Sequence, residues 1–129
     1  MRAEGLRRGI RLFNEAKFFD AHEVLEDVWR ESASAEKKFF QGLVQVAVAF
    51  HHHSTGNFVG FKSVLKRAMG NLEKCPDGFH EVDIEQLLEA LAAWRDAMDR
   101  QGPTPDMPRM EASGFGLDGS PKALNRKDR

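Results

Sequence analysis

The sequence predicts an all-α fold, a compact up-and-down bundle of about five helices built from helical hairpins, with the third helix central. Apolar residues recur every three or four positions through most of the first hundred residues, as they do on one face of an α-helix. Strand-like alternation is absent, and the chain has no Tyr. The third helical segment, from about residue 34 to about residue 54, is apolar almost all round, which is typical of a helix surrounded by others.

The first two helices are predicted at residues 3–15 and 18–31. Leu6, Ile10 and Phe13 share one face of the first helix, so this face is predicted to be buried. The small and apolar residues of the pair also match the spacing of a tetratricopeptide-like hairpin at Gly9, Ala21, Leu25 and Val28. A stacked pair of antiparallel helices is therefore expected here, although the rest of the chain does not continue a regular repeat.

The remaining three helices are marked by their ends. Ser34 is a candidate N-cap for the third helix, which reaches about residue 54. Gly56 and Asn57 indicate a turn before the fourth helix, and a Pro-Asp-Gly sequence at 76–78 indicates a loop after it. Asp83, followed by Gln86, resembles a capping box and opens the fifth helix. The apolar stripe of that helix consists of Ile84, Leu87, Leu88, Leu91 and Met98.

The composition changes after residue 101. Residues 1–101 are predicted to form the helical-bundle domain, whereas residues 102–129 contain four of the five prolines and show no sustained period. Such a segment is either a disordered tail or an extended arm lying on the body.

Charge and cysteine content restrict the partners and the compartment. The chain has 19 Lys and Arg against 20 Asp and Glu, so it gives no global reason to expect nucleic acid or a membrane surface as partner. The small basic edge formed by Lys62 and Lys66 is interpreted as a solvated helix face. No apolar run reaches transmembrane length, and the start does not resemble a signal peptide. Because Cys75 is alone, no intramolecular disulfide can form, and a cytoplasmic location is expected.

The second predicted helix contains the most distinctive pattern of residues. His22, Glu23 and Glu26 form H-E-x-x-E, which differs in one residue from the H-E-x-x-H of zinc peptidases. On a helical wheel His22 lies within the apolar stripe, with Trp29 on the same side. Glu26 lies about 40° from His22 and Glu23 about 100° away, so a metal or substrate that reaches His22 could also meet Glu26.

The third predicted helix carries a matching line of polar residues. Gln41, Gln45 and His52 fall within about 40° of one another on an otherwise apolar helix. Buried amides without partners cost about 1–3 kcal/mol each. We therefore expect this line either to face His22, Glu26 and Trp29 or to flank one cleft with them. Of the three consecutive histidines 51–53, only His52 is expected to join the line, because adjacent helical residues project about 100° apart.

Three functions fit this cluster. The first is a binding or scaffold module that takes a small molecule or a peptide. The second is a metal-dependent, hydrolytic enzyme in which His22 and Glu26 hold a divalent metal and Glu23 is the base. The third is a polar cluster with a purely structural role, which fixes the register of the helices. A homodimer through the fourth or fifth helix is also expected, although nothing in the sequence fixes it.

A resemblance to a known family follows from these residues. The chain resembles the small bacterial and archaeal proteins of domain of unknown function 309 over about residues 5–95. The motifs that carry the resemblance are Phe13-Asn14, Phe19, Ala21-His22-Glu23, Leu25-Glu26, Trp29, Gln41-Gly42-Leu43-Val44-Gln45 and Gly56-Asn57. The resemblance implies a compact all-helical bundle and no assigned activity. It also implies that the polar residues selected above are hallmarks of the family, namely His22, Glu23, Glu26, Trp29, Gln41 and Gln45.

Overall fold

The computed structural model describes residues 2–75 and 82–111. Within them the chain forms five α-helices, which confirms the all-α bundle. The helices are α1 (Arg2–Asn14), α2 (Phe18–Arg30), α3 (Lys37–Ser54), α4 (Phe58–Leu72) and α5 (Ile84–Arg100), with a 3₁₀ turn at Ser34–Glu36 before α3. None of the helices in this part of the chain combines the length and the apolar character that a bilayer crossing requires.

The helices pack in the order of the chain, α1 on α2, α2 on α3, α3 on α4 and α4 on α5. The third helix is central, as predicted, because it is packed on both sides by its neighbours. Its buried residues are Phe39, Phe40, Gly42, Leu43, Val46, Ala47, Ala49 and Phe50. The interface between α4 and α5 is the thinnest of the four.

One ring on α3 contacts an aromatic ring from every other helix. The centroid of Phe50 lies 6.1 Å from that of Phe13 on α1 and 5.8 Å from that of Phe18 on α2. It lies 5.1 Å from Phe61 on α4 and 5.1 Å from Trp94 on α5. Each such pair contributes about 0.5–1.5 kcal/mol beyond its buried area. The Phe50 ring therefore joins all five helices at the end of the bundle where α3 finishes.

Two glycines set how closely the helices of each hairpin approach. A Cβ atom at Gly9 would lie 2.6 Å from Leu25, and one at Gly42 would lie 2.8 Å from Leu72. Real Cβ atoms essentially never approach other heavy atoms this closely. A side chain at either position would therefore require the facing leucine, Leu25 or Leu72, to shift. Gly9 was among the residues that matched the tetratricopeptide-like spacing.

Of the two predicted helix caps, Asp83 is confirmed and Ser34 is not, and Asn57 of the predicted turn is a further cap. The Asp83 carboxylate accepts from the Gln86 amide at 3.0 Å, as the capping box predicts, and Asn57 caps α4 by accepting from Gly60 at 2.9 Å. The prediction of Ser34 as the N-cap of α3 is wrong. No side-chain cap bond forms there, because the carbonyls of Ala33 and Ser34 accept the first free amides in the 3₁₀ turn.

Residues 102–111, here called the C-terminal arm, lie against the helical body. The Asn14 side chain donates to the Met110 carbonyl at 3.1 Å and accepts from the Met110 amide at 2.9 Å. The Trp94 indole donates to the Asp106 carbonyl at 3.0 Å, and the Asp83 amide donates to the Glu111 carbonyl at 2.8 Å. The Met110 side chain is only 2% exposed. Residues 112–129, the rest of the predicted tail, lie outside the described residues.

A pair of glycine substitutions tests the close packing of α3 on α4. Gly42→Ala places a methyl group against Leu72, and overpacking of this kind costs about 1–3 kcal/mol, which exceeds the gain in helix propensity of about 1 kcal/mol. We expect Gly42→Ala to lower the free energy of unfolding by about 1 kcal/mol in urea titrations. Gly70→Ala, on α4 with nothing within 4 Å, should raise it by about 0.5–1 kcal/mol. Equal effects of the two substitutions would contradict the close approach.

Two methionines of the C-terminal arm test whether the arm is part of the core. Met110→Ala should lower the free energy of unfolding by about 2–4 kcal/mol, because it leaves a cavity in the packed interior. Met107→Ala changes the same residue type three positions earlier, where the side chain is 45% exposed, and should cost less than about 0.5 kcal/mol. Denaturant titrations of both variants measure these losses in unfolding free energy, and the comparison holds when the two variants have the same m-value. Similar small losses would show that the arm does not contribute to the core.

Candidate functional site

The predicted residues of α2 form one half-exposed stripe along that helix. Phe19 is 50% exposed, and the side chains of His22 and Glu26 are 24% and 36% exposed. Trp29, one turn further, is also half-buried, whereas Glu23 is fully on the outer side. The stripe therefore separates the buried face of α2, which includes Leu25 and Val28, from its solvated face.

The hydrogen bonds of His22 define which of its ring nitrogens can act. Nδ1 lies 3.0 Å from the carbonyl oxygen of Phe19, and because a carbonyl can only accept, Nδ1 carries the proton. Nε2 lies 3.8 Å from the Glu26 carboxylate, which also lies 3.5 Å from the Arg30 guanidinium. The Nδ1 contact thus orients the His22 ring so that Nε2 is directed towards Glu26 along the outer edge of α2.

Phe19 links the α2 stripe to the end of α3. Its ring centroid lies 5.2 Å from that of His22 and 5.4 Å from that of His51. The imidazole that approaches α2 is therefore His51 and not His52, the residue expected from the wheel. Antiparallel packing places the start of α2 beside the end of α3, and the 100° between adjacent helical residues turns His51 towards Phe19 and His52 towards Asn57.

The polar line on α3 is directed towards α4. The Gln45 side chain accepts from the Asn71 amide on α4 at 2.7 Å, and a ring nitrogen of His52 lies 3.4 Å from the Asn57 amide nitrogen. The hydrogen-bond partner of the Gln45 side chain is therefore on α4. If the two polar lines faced each other directly, this partner would be on α2. The physical reason is that α3 has two packed neighbours, and periodicity alone does not say which of them a given face meets.

Two valines on α3 lie between the polar lines. On a helical wheel Val44 and Val48 fall between the position of His51 and the line formed by Gln41, Gln45 and His52. Both valines and Gln41 are half-exposed. The half-exposed residues of the two helices, Phe19, His22, Glu26 and Trp29 with Gln41, Val44, Gln45 and Val48, are here called the α2–α3 face. The expectation that the polar lines flank one cleft stays a prediction.

The three consecutive histidines enter three different environments. His51 contacts Phe19, and His52 lies beside Asn57 in the turn before α4. His53 lies among three rings of α4 and α5, with centroids 5.1 Å from Phe58, 5.2 Å from Phe61 and 5.0 Å from Trp94. The three side chains therefore point in different directions. The angular spacing of about 100° between adjacent helical residues predicts this divergence.

Lys37, which the sequence does not mark as a site residue, contacts Trp29 at the end of the α2–α3 face opposite Phe19. The Lys37 ammonium donates to the Trp29 carbonyl at 2.7 Å and to the Arg30 carbonyl at 3.3 Å. It also lies 5.0 Å from the centroid of the Trp29 ring, within the range of a cation–π contact. The Trp29 indole nitrogen is buried and finds no hydrogen-bond partner among the described residues. The available sequence signal was a Lys at the start of α3, a few residues after the end of α2.

The titratable groups of the described residues give limited support to metal or thiol chemistry. Within residues 2–75 and 82–111, no group of three or more His, Cys, Asp or Glu side chains converges as a metal site would require. His22 and Glu26 are two candidate ligands on a single helix. Burial raises the pKa of the Cys75 thiol, so this residue lacks the thiolate character of a nucleophile.

Comparison with known proteins confirms the family resemblance. Residues 6–64 match the model of the family described as Domain of unknown function (DUF309). This segment runs from α1 into α4 and contains all the residues of the α2–α3 face. The family description assigns no activity.

Two similar proteins come from bacteria, and both are described as uncharacterized. An uncharacterized protein of Aquifex aeolicus (strain VF5) is 34% identical over 90 residues, which are 69% of this chain and 27% of that protein. The uncharacterized protein YpuF of Bacillus subtilis (strain 168) is 33% identical over 77 residues, 57% of this chain and 44% of that protein. This chain therefore spans less than half the length of either relative.

The metal content of the purified protein tests the pair of candidate ligands. Catalytic zinc usually has three protein ligands, and His22 and Glu26 supply two from one helix. We therefore expect elemental analysis to find no stoichiometric transition metal, and the same trace content in His22→Ala as in the wild type. One equivalent of metal that is lost in His22→Ala but kept in His53→Ala would contradict this and support the hydrolytic enzyme.

Proposed function

With residues 6–64 assigned to domain of unknown function 309, we propose that the chain is a binding module. Its α2–α3 face takes an extended peptide segment of a partner protein. The observation that carries the proposal is the half-exposed Phe19 ring, which two imidazoles flank at the end of a strip of half-exposed valines. This arrangement offers a preformed apolar anchor beside polar groups.

The apolar part of the face is suited to one or two side chains of a ligand. Phe19 is 50% exposed, yet its position is restricted by ring contacts with His22 and His51. Aromatic residues are enriched at the centres of protein interfaces, and an anchor that is already ordered loses little conformational entropy on binding. Val44 and Val48 extend the apolar surface from this anchor along α3.

The polar groups beside the anchor match the main chain of a peptide. The Nε2 nitrogen of His22 on α2 and the side-chain amide of Gln41 on α3 both belong to the half-exposed α2–α3 face. Gln41 can both donate and accept, and an extended peptide presents N–H and C=O groups along both of its edges. Hydrogen bonds to these groups would hold the backbone while the valines and Phe19 receive its side chains.

The charge of α2 favours a basic residue in the ligand. The outer side of the helix carries Asp20, Glu23 and Asp27 in addition to Glu26, against the single cation Arg30. The Arg30 guanidinium is shared between Glu26 and Asp27 at 3.5 and 2.8 Å. A Lys or Arg of the ligand would therefore meet excess negative charge at the edge of the face. Such complementarity mainly increases specificity and the association rate.

The relatives support the idea of a module. A similar segment makes up 27% of the Aquifex aeolicus protein and 44% of the Bacillus subtilis protein. A unit of this kind that occurs within longer chains is expected to fold and to act as a unit.

Selection from a display library of short random peptides tests the proposal. We expect the full chain to enrich sequences with an apolar residue close to a Lys or Arg, and to bind them with micromolar affinity by calorimetry. Phe19→Ala should weaken binding by about tenfold or more, as truncation of an interface anchor does. Phe58→Ala is a matched control, because Phe58 is 48% exposed, also lies in the first turn of its helix and also contacts a histidine.

The outcomes separate the binding and structural roles of the face. His22→Leu keeps the apolar contact with Phe19 but removes the ring nitrogens, so in a binding module it should weaken the peptide complex and leave the unfolding free energy nearly unchanged. The purely structural role predicts the reverse. No enrichment from the library, or equal losses from Phe19→Ala and Phe58→Ala, would refute the proposed face.

A further inference from the structure

A groove runs between α4 and α5, separate from the α2–α3 face. Two adjoining cavities of about 480 and 270 Å³ follow the thin interface of these helices, and Met69 and Arg95 line both of them. The apolar residues along the groove are Leu65, Met69, Ile84, Leu88 and Ala92. Leu88 and Ala92 are half-exposed, so the groove presents an apolar floor to its surroundings.

The two ends of the groove carry opposite charge. The helices are antiparallel, as the 3.0 Å ion pair between Lys62 near the start of α4 and Asp99 near the end of α5 shows. At this end the groove is lined by Lys62 and Lys66, with Asp99 as the one carboxylate. At the other end it is lined by three carboxylates, Glu73, Glu85 and Glu89. Arg95 lies between the two ends.

The excess charge of each end is available to a partner. Lys62 is paired with Asp99, whereas Lys66 forms no ion pair with another described side chain, and the same holds for Glu73 and Glu89. Lys66 on α4 and Glu73, the residue that follows the helix, are seven residues apart, which corresponds to about 10 Å along the helix axis. The groove is therefore a dipolar surface with an apolar floor, and the Arg95 guanidinium at its centre is paired with Asp96 at 3.2 Å.

We propose that a second copy of this chain covers the groove and forms a two-fold symmetric homodimer. The two-fold axis crosses the groove at its centre, near Met69 and Arg95. In an isologous interface the same surface of both subunits meets itself in opposite directions. The basic end of one groove then meets the acidic end of the other twice, and the apolar floors cover each other.

The charge pattern selects this occupant over others. A uniformly acidic or basic ligand would be attracted to one end and repelled by the other, and a parallel arrangement of two copies would bring like charges together. An antiparallel copy satisfies both ends at once and presents an apolar floor that matches the groove. The apolar floor supplies the main favourable free energy, and the charges set the direction, because exposed ion pairs contribute little affinity but penalise wrong arrangements.

Sedimentation equilibrium of the full chain over a range of concentrations and salt tests the dimer. The wild type should dimerise, and NaCl should weaken the dimer by screening the two charge contacts. Lys66→Glu and Glu89→Lys should each weaken it by about tenfold, because both create like charges at two symmetric places. The double variant K66E/E89K exchanges the signs and should dimerise more tightly than either single variant. Arg67→Glu changes the same charge on α4 outside the groove lining and should leave the dimer unchanged.

Each result decides the proposal. A monomeric wild type would overturn it and leave the groove to a different partner. So would a dimer that neither single variant weakens, or a double variant as weak as the weaker single one. Circular dichroism of every variant confirms that the helices are retained, so that loss of the dimer is not loss of the fold. Recovery in the double variant, with Arg67→Glu unaffected, would establish the antiparallel groove interface.

Discussion

The contact of Phe50 with an aromatic ring of each other helix determines much of the rest of the structure. Because this ring points into the core, its neighbours in sequence emerge on either side of it. His51 lies about 100° to one side and reaches Phe19 of α2. His53, on the other side, reaches the rings of Phe58, Phe61 and Trp94. The placement of two of the three histidines thus follows from packing, and no ligand is needed to explain it.

The parts of the fold that repeat along a helix were predictable from the sequence, whereas contacts between distant residues were not. The apolar stripes of the helices, the N-cap at Asp83 and the central position of α3 follow from the spacing of apolar and capping residues along the chain. The pairing of Asn14 with Met110 joins residues 96 positions apart, and no local pattern indicates it. Trp94 was absent from the predicted stripe of α5, although it is 2% exposed. Its burial depends on the Phe50 ring and on a carbonyl of the C-terminal arm that accepts from its indole.

The candidate site shows the same division. The wheel correctly grouped His22 and Glu26 on one side of α2, because residues four apart are always neighbours on a helix. It could not show that Gln45 pairs with Asn71 rather than with α2, since a helix packed on two sides has two directions in which a polar line can find a partner. It also could not identify Lys37, whose contact with Trp29 depends on how the chain turns between α2 and α3.

The two proposed surfaces, the α2–α3 face and the α4–α5 groove, arise in the same way and could act together. Each lies along a seam where two helices meet but leave apolar residues half-exposed, Val44 and Val48 in one case and Leu88 and Ala92 in the other. The seams use different helices, and neither α2 nor α3 lines the α4–α5 groove. A dimer through that groove would therefore leave both α2–α3 faces available. Two such faces on one particle would bind a partner with two matching segments more tightly than either face alone, because the second contact becomes intramolecular.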